Sequence, residues 1–340
     1  MSPNWISPLS VSASLVRRGA WWLACATVAV AAHAQAFAQA AYPNKPIRVI
    51  VPFAPGGATD IMARVVSKRL GEILGQSLVI DNKPGGNTAL GAELVAKAPA
   101  DGYTVLFTND ATFVLNPILS PQLSYNVARD FVPVATVAYL NLAMVVSNSL
   151  PVNNMAEMVA WSQAKSGTIS YGSYGVGSQA HIMGEMYKKL TQTDIVHVPY
   201  KGSAPAVADV IGGQVVFTFP AIPTIQGFVQ AGKVKVLAIS GEKRSPLMPQ
   251  VPTFTEAGYK DLNIGAWYAF LAPAQTPPAV VAKLNAAVAT MLSSPEFVDQ
   301  QLVPQGMSAM NMSPQQFGAH IKAESERMTR IIQLSGAKVE

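Results

Sequence analysis

Two glycine-rich stretches hold most of the residues that could recognise a ligand. The first is "VPFAPGGATD", residues 51–60, where strand-forming residues give way to glycines and then to a helical pattern. The start of a helix presents unpaired N–H groups and the positive end of the helix dipole. Gly56 and Gly57 allow a ligand to approach the backbone closely, and Thr59 or Asp60 is suited to cap the helix. The stretch therefore predicts an anion site, with a tight turn that holds no ligand as the alternative.

Nucleotide motifs do not fit this first stretch. No Gly-Lys-Ser/Thr follows it, so it is not a phosphate-binding Walker loop. The pair Gly56-Gly57 also differs from the G-x-G-x-x-G pattern that binds dinucleotides.

The second stretch is "YGSYGVGSQAH", residues 171–181, and it also joins a strand pattern to a helix pattern. It offers hydroxyl and N–H donors but no charge. His181 lies one turn into the helix and is either a ligand-binding residue, a base, or a histidine bonded to its own loop. Other neutral polar donors follow neighbouring strands or precede a helix, at Thr88 and Asn109.

The residues that catalysis requires are scarce. No G-x-S-x-G nucleophile motif is present. Ser162-Gln-Ala-Lys165 matches the S-x-x-K pattern of some serine nucleophiles, but it lies in the middle of a predicted helix and no S-D-N motif accompanies it. His181, His197 and His320 are far apart in sequence and have no acidic cluster beside them, which argues against a metal site. A constellation rich in neutral donors suits holding an anion better than transforming it. We therefore expect no enzyme activity, no cofactor and no metal.

The first forty residues have the pattern of a secretory signal peptide. Arg17 and Arg18 precede an apolar segment at 21–32, and small residues at 38–40 provide a cleavage site. A membrane anchor, a lipid attached to Cys25 and export by the twin-arginine route are the alternatives. Cleavage near residue 41 would remove the one cysteine of the chain and lower its formal charge from +5 to +3. We expect a periplasmic monomer without disulfides, and the mild charge gives no reason to expect a nucleic-acid partner.

The predicted elements alternate between strands and helices over most of the remaining chain. Continuous runs of Val, Ile and Leu separated by helical patterns indicate an α/β fold with a parallel sheet covered on both faces. The predicted strands are 47–53, 77–82, 103–109, 142–148, 168–173, 194–200, 215–219, 234–240 and 264–273. The predicted helices are 59–74, 88–98, 153–165, 178–190, 203–211, 222–231, 277–293, 295–303 and 314–334. Two tandem α/β units suggest two domains facing a cleft, with ligands beyond the carboxyl ends of the strands.

Six ordered blocks of the chain resemble one known family. They include "YPNKPIRVIVPFAPGGATDIMAR", "ISYGSYGVGSQAHIMGEM" and "VHVPYKGSAPAVADVIGGQV", and the likeness continues from residue 42 to the last helix. The family is the Bug family, the substrate-binding proteins of tripartite tricarboxylate transporters. The resemblance implies a periplasmic-binding-protein fold of type II, in which two domains close on a small carboxylate.

The resemblance also implies domain limits and site residues. Domain 1 would comprise 42–142 and 263–340, and domain 2 would comprise 143–262. Backbone amides, hydroxyls and bridging waters of the two loops would hold the carboxylate, through Phe53, Pro55, Gly56, Gly57, Thr59 and Asp60 on one side and Ser173, Gly175, Gly177, Ser178 and His181 on the other. The protein would deliver this ligand to membrane subunits of a transporter. A ligand-presenting partner of a membrane histidine kinase and an exported hydrolase are the alternatives.

One departure from the family pattern bears on the ligand. Relatives often carry an acidic residue where this chain has Phe219-Pro220-Ala221, and a proline or alanine cannot pair with a ligand ammonium group. Tyr174 adds an aromatic ring at a variable position. We expect the ligand to be a carboxylate without an amine, with an aromatic dicarboxylate as one candidate, and we place Tyr174, Pro220 and Ala221 in its site.

Overall fold

A computed structural model describes residues 42–120 and 122–337 of the chain. The predicted signal peptide lies outside the described residues. Within them the strands are β1 (Ile47–Val51), β2 (Leu78–Asn82), β3 (Thr104–Asn109), β4 (Phe131–Leu140), β5 (Ala143–Ser147), β6 (Ile169–Ser173), β7 (Ile195–Pro199), β8 (Phe217–Thr218), β9 (Val234–Ile239), β10 (Ala266–Pro273) and β11 (Met307–Ala309).

The helices flank these strands in both halves of the chain. They are α1 (Ala58–Leu74), α2 (Ala89–Ala96), α3 (Asn116–Leu119), α4 (Val127–Asp130), α5 (Met155–Ala164), α6 (Gln179–Thr191), α7 (Ser203–Ile211), α8 (Ile222–Gln230), α9 (Pro278–Leu292), α10 (Pro295–Phe297) and α11 (Pro314–Ser335). Short π-helical turns at Ala111–Leu115 and Val298–Leu302 and 3₁₀ turns at Lys260–Leu262 and Val303–Gln305 complete them.

The strands form two sheets, and both belong to the unit Lys45–Glu340. The first sheet has the order β11-β4-β10-β3-β1-β2, and the second has the order β7-β6-β8-β5-β9. The α/β fold class is therefore confirmed. The expectation of parallel pairing holds for β1 with β2 and β3, and for β6 with β7 and β8.

The same expectation is wrong for the rest of both sheets, which are mixed. β10 runs antiparallel to β3 and β4, β11 runs antiparallel to β4, and β5 runs antiparallel to β8 and β9. Continuous apolar runs indicate that a strand is buried on both faces, but they do not give its direction. The direction follows from where the chain crosses between the sheets.

Strand β4 was not predicted, although it is the longest strand in the described residues. Its sequence "FVPVATVAYL" contains Pro133, and a proline within an apolar run argues against a strand because it cannot donate a backbone hydrogen bond. The ladder accommodates Pro133 at an irregularity, where the register with β10 shifts between Phe270 and Leu271. The helix predicted at 295–303 is also corrected, since it breaks after Phe297 into a π-helical turn.

The last helix shows how local sequence sets an element boundary. Ser313 accepts a hydrogen bond from the backbone of Gln316, and the Gln316 side chain accepts one from the backbone of Ser313. This capping box satisfies two N–H groups that the first turn leaves unpaired. Pro314 fits the first helical position, where its missing N–H costs nothing.

A hydrophobic core connects the two sheets. One cluster of buried residues contains Ile50 and Leu106 of the first sheet, Tyr171 and Phe217 of the second, and Trp267 of β10. A smaller cluster packs within the second sheet against α7 and α8. This packing fixes the strand ends from which the two glycine-rich loops project. Among the described residues, no helix is both long enough and apolar enough to cross a bilayer.

Candidate functional site

The first glycine-rich loop leads from β1 into the N-terminus of α1. Gly57 is the N-cap residue and makes no side-chain capping bond, so neither Thr59 nor Asp60 occupies the cap position. Gly56 has a φ of 82°, which only a glycine adopts without strain. The loop is therefore shaped by its glycines.

Asp60 holds this loop together. Its carboxylate accepts hydrogen bonds from the Gly56 N–H at 2.9 Å, from Arg64 at 3.0 Å and from the Asn82 amide at 2.9 Å. Asn82 also donates to the Phe53 carbonyl at 3.1 Å. The hydrogen bonds from Arg64 lower the pKa of Asp60 to about 2 despite its burial. These protein donors occupy the carboxylate, so Asp60 organises the loop and is poorly placed to touch a ligand.

The N–H groups of Gly57, Ala58 and Thr59 begin the helix. Within residues 42–120 and 122–337 no hydrogen bond from these three groups is found. They lie at the positive end of a helix of 17 residues. The arrangement suits one carboxylate, since three backbone donors and a helix dipole favour a negative charge.

Two hydroxyl side chains border this N-terminus. Thr59 is buried, and its side chain lies near enough to the Tyr268 phenol of β10 to influence the pKa of that phenol. Burial raises the pKa of Tyr268 to about 12, so the phenol stays neutral and keeps its proton as a donor. Tyr268 had no signal in the sequence, because an inward-facing tyrosine of a buried strand looks like an ordinary core residue.

The second loop leads from β6 into the N-terminus of α6. The Ser173 hydroxyl donates to the Gly175 carbonyl at 3.1 Å and accepts from the Gly175 N–H at 3.2 Å, and it lies 2.7 Å from His197 Nε2. A hydroxyl has one proton and two lone pairs, so these contacts use its whole capacity. Ser178 is the N-cap of α6, and its hydroxyl accepts from the His181 N–H at 3.3 Å and donates to the Gly175 carbonyl at 2.6 Å. Both serines therefore shape the loop.

His181 is bonded to its own loop, which was one of the alternatives for this residue. The Gly177 N–H donates to His181 Nδ1 at 3.1 Å. The His181 ring stacks on the His197 ring with centroids 4.2 Å apart. Burial lowers the pKa of both rings, that of His197 to about 4, so both stay neutral at neutral pH. The pair stiffens the loop and brings no positive charge to it.

Asp110 and Gln179 connect the first sheet with the second loop. The Gln179 amide donates to Asp110 Oδ2 at 3.5 Å, and the Trp267 N–H donates to Asp110 Oδ1 at 3.3 Å. The Tyr174 hydroxyl donates to the Gln179 side-chain oxygen at 3.1 Å. Burial raises the pKa of the Tyr174 and Tyr268 phenols, and the nearby Asp110 adds to this rise. The two loops therefore lie on either side of one cluster of polar side chains.

Sequence reasoning did not assign Asp110, Gln179 or Tyr268 to the site. In the sequence Asp110 directly follows the last residue of β3. Burial raises the pKa of its carboxyl to about 7, so Asp110 keeps its proton to a higher pH than an ordinary aspartate does. In its protonated form this carboxyl cannot form an ion pair with a ligand ammonium group.

The other predicted residues lie near strand or helix ends with protein partners. The Thr88 hydroxyl accepts from Asn116 at 3.0 Å, and the Asn109 side chain accepts from the Ala111 N–H at 3.2 Å. Pro220 is buried, and its carbonyl accepts from the Ala143 N–H at 2.9 Å. Ala221 is the N-cap of α8. The backbone geometry at Pro220 and Ala221 thus offers an apolar wall and no charge.

The site has little means for catalysis. Ser162 is buried inside its helix and bonded to the Tyr187 hydroxyl at 2.6 Å, so its S-x-x-K spacing has no role as a nucleophile. Among the described residues, no group of three or more His, Cys, Asp or Glu side chains is placed to hold a metal ion. The geometry suits binding of an anion through backbone donors and hydroxyls.

Comparison with known proteins decides the family. Residues 62–337 match the family described as "Tripartite tricarboxylate transporter family receptor". The chain belongs to this family. The chain is 35% identical over 300 residues to Protein BugT of Bordetella pertussis, a match that covers 88% of this chain and 92% of that protein. The resemblance to the Bug family seen in the sequence is thereby confirmed.

Solved structures agree with the family and with the fold. A structure described as a periplasmic transporter is 40% identical, with a TM-score of 0.73, and the match covers 88% of this chain and all of the other. R. palustris Rpa4515, solved with adipate, is 34% identical with a TM-score of 0.74 over 88% of this chain and all of the other. MatC from Rhodopseudomonas palustris, solved with bound malate, is 30% identical with a TM-score of 0.68 over 86% of this chain and all of the other. This chain is a solute-binding protein of a periplasmic family.

Proposed function

We propose that this protein is a monomer in the periplasm that captures a small carboxylate without an amine and delivers it to the membrane subunits of a tripartite transporter. The observation that carries the proposal is the N-terminus of α1. Three backbone N–H groups there, those of Gly57, Ala58 and Thr59, have no hydrogen bond among the described residues, and the Tyr268 phenol lies near the Thr59 side chain. Water molecules would complete the contacts and keep ligand release easy, since no countercharge is buried with the anion.

The charges near the two loops favour a ligand that carries no amine. An ammonium group needs an ionised acid or several free carbonyl oxygens. Asp60 is occupied by Arg64, Asn82 and Gly56, and burial disfavours the ionised form of Asp110. Pro220 provides no acid on the side of the second sheet. The adipate and malate of the two solved relatives are dicarboxylates without an amine, in agreement with this proposal.

Ligand capture would proceed by closure of two domains, 42–142 with 263–340 and 143–262. The distribution of strands supports these limits, because β1–β4, β10 and β11 form one sheet and β5–β9 form the other. A ligand that contacts both loops would favour the closed arrangement, and the transporter would recognise that arrangement. The contact between Asp110 and Gln179 is of the kind that closure would form.

A thermal-shift screen tests the ligand class. Adipate, malate and terephthalate are the amine-free probes, and aspartate and glutamate are the amino-acid probes. We expect at least one amine-free dicarboxylate to raise the melting temperature and the two amino acids to leave it unchanged. Stabilisation by aspartate or glutamate alone would refute the proposal.

A matched pair of variants tests the backbone donors. Gly57→Pro removes the N–H at a residue whose φ of −76° a proline can adopt. Gly57→Ala keeps the N–H, and its added Cβ would lie 3.6 Å from the Ala54 carbonyl, an ordinary contact. A hydrogen bond to a charged group contributes about 1.5–3 kcal/mol, so the proline should weaken binding roughly 10- to 100-fold. Equal affinities of the two variants, measured by calorimetry, would show that this N–H does not hold the ligand.

A further inference from the structure

A cavity of about 770 Å³ lies away from both glycine-rich loops. Asn141, Gly241 and Asn263 line it, in the segments where the chain passes between the two sheets. Residues of α11 and the segment after β11 form its other walls. We call it the crossover cavity. Its volume lies in the range of sites that hold small organic molecules.

One wall of the crossover cavity is aromatic. Tyr139, Trp267 and His320 line it, and the centroids of the Trp267 and His320 rings are 4.8 Å apart. His320 Nε2 is buried and has no hydrogen-bond partner within residues 42–120 and 122–337. Burial lowers the pKa of His320, so the ring is neutral. The His320 and Tyr139 rings are each half-buried, so together they offer the cavity a neutral aromatic surface.

The remaining walls carry an excess of positive charge. Lys243, Arg244, Lys260, Arg327 and Arg330 line the cavity, against Glu242, Asp261 and Glu324. Arg327 pairs with Glu324 at 2.9 Å and Arg244 pairs with Glu256 at 2.9 Å. In the part of the chain that the structure describes, Lys243 and Arg330 have no ion pair. The exposed position of both side chains leaves them free to meet an anion at the mouth of the cavity.

We propose that the crossover cavity is a second ligand site, for an aromatic carboxylate. The ring would pack against the half-buried Tyr139 and His320, and the carboxylate would meet Arg330 and Lys243. This site is separate from the carboxylate site at the N-terminus of α1, because no residue of either glycine-rich loop lines the cavity.

Titration of the full chain with 5-fluoroisophthalate, followed by ¹⁹F NMR, tests the proposal. The titration is performed in the Gly57→Pro background, where we expect binding at the carboxylate site of the α1 N-terminus, the loop site, to be roughly 10- to 100-fold weaker. We expect one saturable site in that background. Adding Arg330→Gln and Lys243→Gln should weaken it at least tenfold, a loss of two charged contacts. The control is the pair Lys68→Gln and Lys283→Gln, which removes the same charge from exposed helix positions and should leave the affinity unchanged.

The outcomes separate this site from the proposed function. If the probe fails to bind the Gly57→Pro protein, or binds it equally well with Arg330 and Lys243 replaced, the crossover site is refuted while the loop site stands. If the wild-type protein shows the same single site as Gly57→Pro, the crossover site holds and the loop site does not take this aromatic dicarboxylate. Arg330 and Lys243 are exposed, so their replacement should not impair folding.

Discussion

Asp110 should make the folded protein less stable as the pH rises. Its side chain is 5% exposed, and burial raises the pKa of the carboxyl from 3.8 to about 7. The folded state therefore keeps a proton that the unfolded chain releases near pH 4. The stabilisation of the folded state by this bound proton is complete below pH 3.8 and is lost as the pH rises through about 7. Asp110→Asn removes this titration and keeps an oxygen that can accept from the Trp267 N–H.

The magnitude follows from the difference between the two pKa values. One pKa unit corresponds to about 1.4 kcal/mol, so a rise from 3.8 to about 7 costs the folded state about 4 kcal/mol once the carboxyl is fully ionised. About 2.5 kcal/mol of this cost develops between pH 5 and pH 8. The amide introduced by Asp110→Asn would face the Gln179 amide, which can turn its oxygen toward it. The variant should therefore be more stable than the wild type at pH 8.

Urea unfolding at pH 5 and pH 8 measures the effect. Between these pH values the wild type should lose about 2.5 kcal/mol of unfolding free energy more than Asp110→Asn. Asp299→Asn removes an exposed carboxylate and should retain the pH dependence of the wild type. If the wild type and Asp110→Asn change in parallel between pH 5 and pH 8, the assigned effect of burial on Asp110 is wrong.

Three further predictions concern the supports of the site and the last helix. Gly184→Ala should lower the stability by about 1–3 kcal/mol in urea unfolding, because the added Cβ would lie 2.0 Å from the Tyr171 ring; Gly227→Ala, with no atom within 4 Å, is the control. Asp60→Asn should remove part of the acid sensitivity, because the lowered pKa of Asp60 stabilises the fold above pH 3.8 and this effect is lost as the pH falls toward 2; an unchanged acid-unfolding midpoint would contradict this. Ser313→Ala should cost about 1 kcal/mol through loss of the capping box, and an unchanged melting temperature would count against it.

Local features of the fold were accessible from the sequence. The alternation of apolar runs with helical patterns located β1, β2 and β3 and the helices between them, because period and turn residues act over a few neighbours. The glycine-rich loop before α1 was also evident, since Gly56 and Gly57 follow directly on a buried strand. Strand β4 was missed because it contains Pro133, and local rules count a proline against a strand. The irregular pairing that accommodates Pro133 is with β10, which is distant in sequence.

The contacts among the side chains of the site join residues that are far apart in sequence and could not be predicted from it. Asp110 and Gln179 are 69 positions apart in sequence, and Asp110 and Trp267 are 157 apart. No local pattern encodes such contacts, because they arise when two sheets and a crossing strand pack around a common core. The same packing stacks His181 on His197 and neutralises both rings by burial.

The sequence by itself determined the family, most of the strands and helices in their order, and the helix N-terminus that we propose as the anion site, because these are carried by contiguous residues. The tertiary structure decided that β10 returns antiparallel, that Tyr268 lies beside Thr59, and that Asp60 and Ser173 serve their loops. It also placed Trp267, His320 and Arg330 around one cavity. These features rest on burial and on long-range contacts, which exist only once the chain has folded.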